Sequence, residues 1–268
     1  RSRDAFDLVV LGAGSGGYAC ALRAAQLGLT VGLVEQDKVG GTCLHRGCIP
    51  TKAMLHAAEV ADSVRNGSEF GIHAAIDKID LVGVVSYADS VVARVYKGLS
   101  ELINSGGITV LQGAGRLTEA DGRRTVRIDD ETHPASHLVL ATGSYPRSLP
   151  GVEVDGVTIL SSEHALRLDR LPASAIVLGG GVIGVEFASI WRSFGVDVTV
   201  LEALPQLVSG EDPSISTALE RAFARRKIKV LKGAALAACH ANESGVRAGL
   251  ADGQVLEAEL MLVAVGRG

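Results

Sequence analysis

Two cysteines with four residues between them form the most reactive pattern in the sequence. Cys43 and Cys48 lie in the segment GGTCLHRGCIPTK, residues 40–52. With four cysteines in 268 residues, the pair indicates catalysis or metal binding rather than a disulfide scaffold. The two sulfurs can close across a helical turn, and a helix N-terminus together with Lys52 would favour a thiolate. This pattern predicts a redox-active disulfide that exchanges with an external dithiol or disulfide.

Other uses of these cysteines are less well supported by the sequence. Zinc needs two further ligands, but Cys20 and Cys239 are distant in sequence and no histidine pair has finger spacing, so we predict no metal site. Cys20 and Cys239 are expected to be buried small hydrophobic residues. Two unrelated buried thiols at positions 43 and 48 are the alternative. His45, between the two cysteines, is either a base or a solvated loop histidine.

Glycine-rich turns occur twice in the chain. GAGSGG at 12–17 and GGGVIG at 179–184 each follow an apolar stretch, and Gly12 corresponds to Gly179 at an offset of 167 residues. At the same offset Glu35 matches Glu202. In such a βαβ unit the glycines allow the tight turn, the approach of a pyrophosphate and close helix packing, and the acid accepts hydrogen bonds from a ribose. The sequence therefore predicts two dinucleotide-binding units.

The elements that position these turns also repeat. HLVLATG at 137–143 resembles LMLVAVG at 260–266, and a charged hairpin precedes each. Apolar spacing predicts helices at about 49–65, 86–105 and 214–226, with Gly106-Gly107 ending the second and a solvated basic end, 225–227, on the third. Pro146, Pro150 and Gly151 mark a linker. We predict an α/β protein with two Rossmann-like dinucleotide-binding domains, at 1–146 and 147–268.

Composition excludes several classes of protein. The net charge is −4, which argues against a nucleic-acid binder because that function needs a basic face. The sequence contains no run of about 18 apolar residues, so we predict no membrane-spanning helix. The first residues, RSRDAFD, lack a signal-peptide pattern, and the cysteine usage favours the cytoplasm.

The cysteine segment, together with GAGSGGY at 12–18 and Glu35, resembles the flavoprotein disulfide reductases. LATGSYPRSLPG at 140–151 is similar to the Ala-Thr-Gly segment that lies against the flavin in that family. CLHRGCIPTK followed by GGGVIGVE is most similar to the members that oxidise dihydrolipoamide. The resemblance covers essentially the whole chain. It implies FAD in the first unit and a nicotinamide nucleotide in the second.

The resemblance also implies individual roles. Cys48 would be the flavin-facing thiol and Cys43 the interchange thiol, and Lys52 would lie near the flavin, paired with Glu186. The residues implied to bind FAD or NAD are Gly12, Gly14, Gly17, Glu35, Gly41, Thr42, Lys52, Gly115, Thr142, Gly143, Ser144, Gly179, Gly181, Ile183, Gly184, Glu186, Glu202 and Gly266. Independently of the resemblance, Glu186 lies on a helix face that should be apolar, so it needs a buried cation unless it is a solvated helix residue.

Glu202 indicates which nicotinamide nucleotide the second unit binds. Its carboxylate would repel a 2′-phosphate, and residues 203–207, ALPQL, contain no arginine or lysine, so NAD is favoured over NADP. This argues against a glutathione-reductase-like enzyme. A mercuric-reductase-like enzyme stays possible, although the additional terminal cysteines usual there are missing. A non-catalytic FAD- and NAD-binding fragment is the alternative of a different class.

The resemblance also implies features that the sequence lacks. Family members continue into a second FAD-binding segment and a C-terminal dimerisation domain whose His–Glu dyad supplies the acid and base. None of the seven histidines here has that context, so the 268-residue chain is expected to be nearly inactive by itself. The implied activity is oxidation of protein-bound dihydrolipoamide with NAD, as the E3 component of 2-oxoacid dehydrogenase complexes. The implied partners are a lipoyl domain and a second copy of the full-length chain.

Overall fold

The structure is a computed structural model that describes residues 6–120, 123–242 and 244–268. The described residues of 1–50 and 89–143 form one compact unit, and those of 51–88 and 144–268 form a second. The division of the chain into nucleotide-binding domains at 146 and 147 stays a prediction.

The first half of the chain alternates strands and helices before a run of short strands. In chain order the elements are β1 (Phe6–Leu11), α1 (Ser15–Gln26), β2 (Val31–Glu35), α2 (Gly41–Arg46), α3 (Cys48–Asn66), a 3₁₀ turn (Gly67–Phe70), α4 (Leu81–Ser105), β3 (Thr109–Gln112), β4 (Arg116–Ala120), β5 (Arg123–Ile128), β6 (Glu131–His133) and β7 (Ala135–Leu140).

The second half repeats the strand pattern with different helices. Its elements are β8 (Ile159–Leu160), α5 (Ser162–Ala165), β9 (Ser174–Leu178), α6 (Val182–Ser193), β10 (Asp197–Glu202), α7 (Pro213–Arg225), β11 (Lys229–Lys232), β12 (Leu236–Asn242), β13 (Gly245–Leu250), β14 (Val255–Ala258) and β15 (Leu260–Val263).

Each unit is built on a parallel sheet. The order is β3-β2-β1-β7 in the first unit and β11-β10-β9-β15-β8 in the second. The central strands are buried continuous apolar runs, VVL at 9–11 and IVL at 176–178, as expected for parallel strands covered on both faces. Each unit also carries a three-stranded antiparallel sheet, β4-β5-β6 or β12-β13-β14. The predicted pair of Rossmann-like folds is confirmed.

Helix boundaries differ from the prediction in two places. The chain around the cysteines forms two helices, because Gly47 takes φ −145° and ψ −109° and breaks the backbone between α2 and α3. Helix α4 begins at Leu81, earlier than predicted, and the Asp80 side chain accepts a hydrogen bond from the N–H of Gly83 in its first turn. The predicted stop after α4 is confirmed, with Gly107 at φ +67°. Among the described residues, no helix combines the length and the apolar composition that a membrane span requires.

Candidate functional site

The first glycine turn joins β1 to α1 in a conformation that only glycines allow. Gly12 has φ +101°, and a Cβ on Gly17 would lie 1.8 Å from the carbonyl oxygen of Gly12, so any side chain there would push the helix away from the strand. Gly14 is the N-cap of α1, and its side-chain position is open, with no described atom within 4 Å. Backbone N–H groups at the start of α1 are therefore accessible to a ligand.

The second turn reproduces the first in detail. Gly179 has φ +111°, a Cβ on Gly184 would lie 1.9 Å from the carbonyl oxygen of Gly179, and Gly181 is the open N-cap of α6. The same three constraints thus recur at an offset of 167 residues. The repeat read from the sequence corresponds to a repeat of backbone geometry.

A glutamate at the end of the neighbouring strand closes each turn. Glu35 accepts hydrogen bonds from the N–H groups of Ala13 and Asp37, both at 2.9 Å. Glu202 does the same at the second turn, accepting from Gly180 at 2.6 Å and Leu204 at 2.8 Å. Each carboxylate is thereby fixed at the mouth of its turn. Because a carboxylate oxygen has more than one acceptor site, both glutamates can still accept from ribose hydroxyls.

The two turns fit a dinucleotide. An open glycine N-cap, uncapped by any described side chain, leaves the first N–H groups of α1 and α6 to an anion at the positive helix end. The adjacent carboxylate supplies the acceptor that a ribose needs. The observation that decides the fit is the empty space at the Cβ positions of Gly14 and Gly181, where pyrophosphate oxygens can approach the backbone.

The cysteine pair follows the first turn directly. Gly40 donates from its N–H to the carbonyl oxygen of Ala13, and a Cβ on Gly41 would lie 2.7 Å from the Cα of Gly14, so α2 packs against the turn. Cys43 is half-buried in α2 and Cys48 is exposed at the first residue of α3. All four cysteines lie among the described residues and are thiols. The disulfide between Cys43 and Cys48 stays a prediction.

His45 is anchored, not solvated. Its Nε2 lies 2.8 Å from the carbonyl oxygen of Val39, which makes that nitrogen the donor, and its ring meets the edge of Tyr96 with centroids 5.1 Å apart. The expectation of a solvated loop histidine is wrong, because a six-residue helix such as α2 needs side-chain contacts to hold it. Two further contacts hold α2 in place: the side chain of Leu44, which is 5% exposed, and an ion pair between Arg46 and Asp37 at 2.6 Å.

Lys52 and Glu186 form an ion pair, as predicted. Lys52 Nζ lies 2.6 Å from Glu186 Oε1, although the residues are 134 positions apart. The Glu186 side chain is 20% exposed and stands between the buried Val185 and Phe187 on α6. Lys52, in contrast, is 57% exposed, so the expectation of a buried cation is wrong for the lysine. Its long side chain reaches the carboxylate from the solvent side of α3.

The other predicted site residues lie at the edges of the two turns. In the first unit, the built Cβ of Gly12 would lie 3.2 Å from the Cα of Thr142, and Gly115 packs against Leu11 and Val34. In the second unit, Arg267 donates to the hydroxyl and carbonyl oxygens of Ser144. The remaining positions are Thr42, in α2; Gly143, at φ +86°; Ile183, in α6; and Gly266, at φ +106°.

Sequence reasoning missed two groups of polar residues. Asp155 accepts hydrogen bonds through Oδ1 from the N–H groups of Val157, Thr158 and Ile159 at 2.7–2.9 Å. Burial alone would raise the pKa of Asp155, but these backbone bonds outweigh it and hold the pKa below its ordinary value. An Asp two residues before a Val-Thr-Ile run is the one signal that could have identified this loop.

The second missed group joins α3 to α6 through Arg226. The predicted solvated basic end of α7 is wrong for this residue, which is only 32% exposed and donates to Asp62, Ser189 and Ser193. Arg225 and Lys227 beside it are exposed. Arg226 is drawn inward because its guanidinium meets a carboxylate 164 positions away.

The remaining sequence predictions concern the two other cysteines and a metal site. Cys20 and Cys239 pack against the cores of their units but are only half-buried, short of the full burial expected. Burial, and then the charge of Asp155, raise the pKa of the Cys239 thiol. Within residues 6–120, 123–242 and 244–268, no group of three or more His, Cys, Asp or Glu residues could hold a metal ion.

The fold and the site together define a tandem dinucleotide-binding protein with a thiol pair directly after its first turn. The chain belongs to the pyridine nucleotide-disulphide oxidoreductase family, whose profile matches residues 6–268.

Its relatives are named accordingly. It is similar to dihydrolipoyl dehydrogenases of Chlamydia pneumoniae, at 40% identity over 98% of this chain and 56% of that one, and of Bacillus subtilis, at 39% over 98% and 58%. Among solved structures it is similar to LpdA from Mycobacterium tuberculosis, with a TM-score of 0.89 and 30% identity over 97% of this chain and 58% of that one. The chain therefore spans between half and two thirds of the length of these relatives.

Proposed function

We propose that the protein oxidises protein-bound dihydrolipoamide and reduces NAD, with FAD as its bound cofactor. The observation that carries this proposal is the position of the thiol pair, directly after a glycine turn that fits a dinucleotide and in a chain with a second such turn. The dihydrolipoyl dehydrogenase names of the relatives favour this reaction over a glutathione- or mercuric-reductase-like one.

FAD is assigned to the turn at Gly12 and NAD to the turn at Gly179. When bound, FAD supplies a two-electron acceptor and donor between a dithiol and a nicotinamide. Glu35 and Glu202 each present a carboxylate, fixed by two backbone N–H groups, to the ribose of their nucleotide. The same charge at Glu202 repels a 2′-phosphate, which supports NAD over NADP.

The chemistry of this chain is thiol–disulfide exchange at Cys43 and Cys48. One thiolate of dihydrolipoamide attacks the sulfur of Cys43, and the bond to Cys48 breaks with Cys48 leaving as a thiolate. The second thiol of the substrate then attacks the mixed disulfide, which releases Cys43 and closes lipoamide. The electron pair now held by the two cysteines goes to NAD as a hydride equivalent, and one proton is released to the solvent.

Lys52 and Glu186 place a positive charge near the thiol pair. Lys52 follows Cys48 by four residues on α3, so the backbone positions of the two residues are about one helical turn apart. A cation in that place stabilises a thiolate, and Glu186 holds the ammonium at 2.6 Å. His45 is a structural anchor in this proposal, since its Nε2 is engaged by Val39. A lipoyl domain as substrate carrier, a homodimer of the full-length protein and a cytoplasmic location stay predictions.

A thiol count tests the proposal. The oxidised chain is loaded with FAD, treated with NADH without oxygen, and its thiols are counted under denaturing conditions. We expect two new thiols per chain in the native protein. Cys43→Ser and Cys48→Ser should gain none, whereas the matched controls Cys20→Ser and Cys239→Ser should gain two. FAD binding with no new thiols in the native protein would instead indicate a nucleotide-binding module without redox chemistry.

A second experiment, with dihydrolipoamide, tests the assignment of the substrate. Added in place of NADH and left to reach equilibrium, dihydrolipoamide should produce the same two thiols in a single slow turnover, and subsequent addition of NAD should yield a stoichiometric amount of NADH. Reduction by glutathione or by NADPH at equal rates would contradict the assignment of substrate and nucleotide.

A further inference from the structure

The polar network between α3 and α6 is the strongest feature that the proposed reaction leaves without a role. Ser193, 3% exposed, donates from Oγ to Asp62 Oδ2 at 2.6 Å. Arg226 donates from Nη2 to Ser193 Oγ at 2.6 Å and to Asp62 Oδ2 at 3.3 Å, and also bonds the carbonyl oxygen of Ser189. Breaking this partly buried, charged network is costly at its buried hydroxyl, because loss of a partner leaves that group unpaired.

The network and the Lys52–Glu186 pair are two attachments of the same two helices. Lys52 and Asp62 are separated by about 15 Å along α3, and Glu186 and Ser193 by about 10 Å along α6, at 1.5 Å per residue. Both pairs of contacts advance in the same direction along the chain, so the helices run in parallel. The network is one point of contact between these helices, and the ion pair is a second point about 10–15 Å away along them.

The two attachments differ in strength. An ion pair with a lysine that is 57% exposed is screened by solvent and contributes too little to hold a helix. The network has a buried hydroxyl, a carboxylate and a guanidinium that bonds three other residues. The network therefore fixes α3 on α6, and the ion pair forms as a consequence of that fixed register.

We propose that Asp62, Ser193 and Arg226 are positioning residues for Lys52, acting through the register of α3 on α6. The role of Lys52 beside the thiols rests on the proposed function, but its pairing with Glu186 is a property of the chain itself. Loss of the network should therefore release the Lys52 ammonium from Glu186, although Lys52 lies ten residues from Asp62 along α3.

Chemical labelling of Lys52 tests this without any cofactor. The folded chain is treated briefly with acetic anhydride, and acetylation of each lysine is measured by mass spectrometry, with the other lysines as internal references. In Ser193→Ala and Arg226→Gln we expect Lys52 to react at least threefold faster than in the native chain. Ser193→Ala removes one hydroxyl and is the variant expected to keep its fold, which circular dichroism verifies.

Arg65→Ala is the matched control. Arg65 bonds the other oxygen of the same carboxylate, Asp62 Oδ1, at 3.0 Å from within α3, so its loss removes a charge without detaching α6. Lys52 reactivity should stay at the native value in this variant. Unchanged Lys52 reactivity in both network variants would overturn the proposal.

A second readout connects the register to the reaction. In the FAD-loaded chain, NADH-driven formation of thiols should be about tenfold slower in Ser193→Ala than in Arg65→Ala. If the native chain forms no thiols, the proposed function fails, and the labelling result still decides the positioning role. If thiols form at equal rates in both variants while Lys52 is released, the proposed importance of Lys52 to the reaction is wrong.

Discussion

The matched carboxylates of the two glycine turns allow a reciprocal experiment. Glu202→Gln keeps the size of the side chain but replaces one acceptor oxygen by an NH₂ group. Since the two oxygens of Glu202 accept from Gly180 and Leu204, one of these N–H groups must then face a donor. The turn opens at that point, and a bound nucleotide has to close it again.

The size of the effect follows from the bond that is lost. A hydrogen bond to a charged acceptor contributes about 1.5–3 kcal/mol. At 1.4 kcal/mol for each factor of ten, the Kd for NADH should rise roughly 10- to 150-fold. Glu35→Gln removes the equivalent bond to Ala13 or Asp37, and should weaken FAD by a similar factor.

Fluorescence titrations of NADH and of FAD against each variant give the four constants. Glu202→Gln should change the NADH constant and keep the FAD constant within about twofold, and Glu35→Gln should do the reverse. Equal losses for both nucleotides in either variant would refute the reasoning, because they would mean that the carboxylates support the fold generally and not one turn each.

Two further predictions concern specificity and acid stability. Glu202→Arg should reverse the nucleotide preference toward NADPH, since a guanidinium binds a 2′-phosphate that the carboxylate repels; titrations with NADH and NADPH check this, and an unchanged ratio of the two constants would contradict it. Asp155→Asn should lower the free energy of unfolding at pH 7 by about 1 kcal/mol, allowing for solvent screening. Because the folded pKa of Asp155 lies below its ordinary value of 3.8, the native advantage is present above pH 3.8 and is lost as the pH falls below it. Urea unfolding at pH 7 and at pH 3 should therefore show the difference between the two proteins shrinking; a constant difference would exclude the charge as its cause.

Local patterns predicted the turns because their causes are local. Gly12 and Gly179 take nearly the same positive φ, and each is followed by a glycine that no larger residue could replace without displacing a helix. The positive φ and the contact between the first and last glycine arise within each turn, so they leave a readable spacing. The hairpins and the stop at Gly107 were predictable for the same reason.

Contacts across long separations were not predictable, with one exception. Nothing in the spacing of Asp62 and Arg226 indicates that they meet, and a basic end of a helix is solvated in most sequences. The anchoring of His45 by Tyr96 depends in the same way on how α4 packs. The Lys52–Glu186 pair was the exception, because the family resemblance implied it and an acid on an apolar helix face requires a cation.

The chain contains a single tryptophan, Trp191, which lies on α6 and is 3% exposed, with its ring 5.8 Å from that of Phe187. Helix α6 also carries Glu186 and Ser193. The indole therefore lies on the same helix that begins at the second glycine turn and bonds to α3. Its emission on selective excitation of the indole should thus report the second unit alone, blue-shifted while that unit is folded. Far-ultraviolet circular dichroism averages over the helices of both units. Comparing the two signals in one denaturation series separates the stability of the second unit from that of the first without dividing the chain.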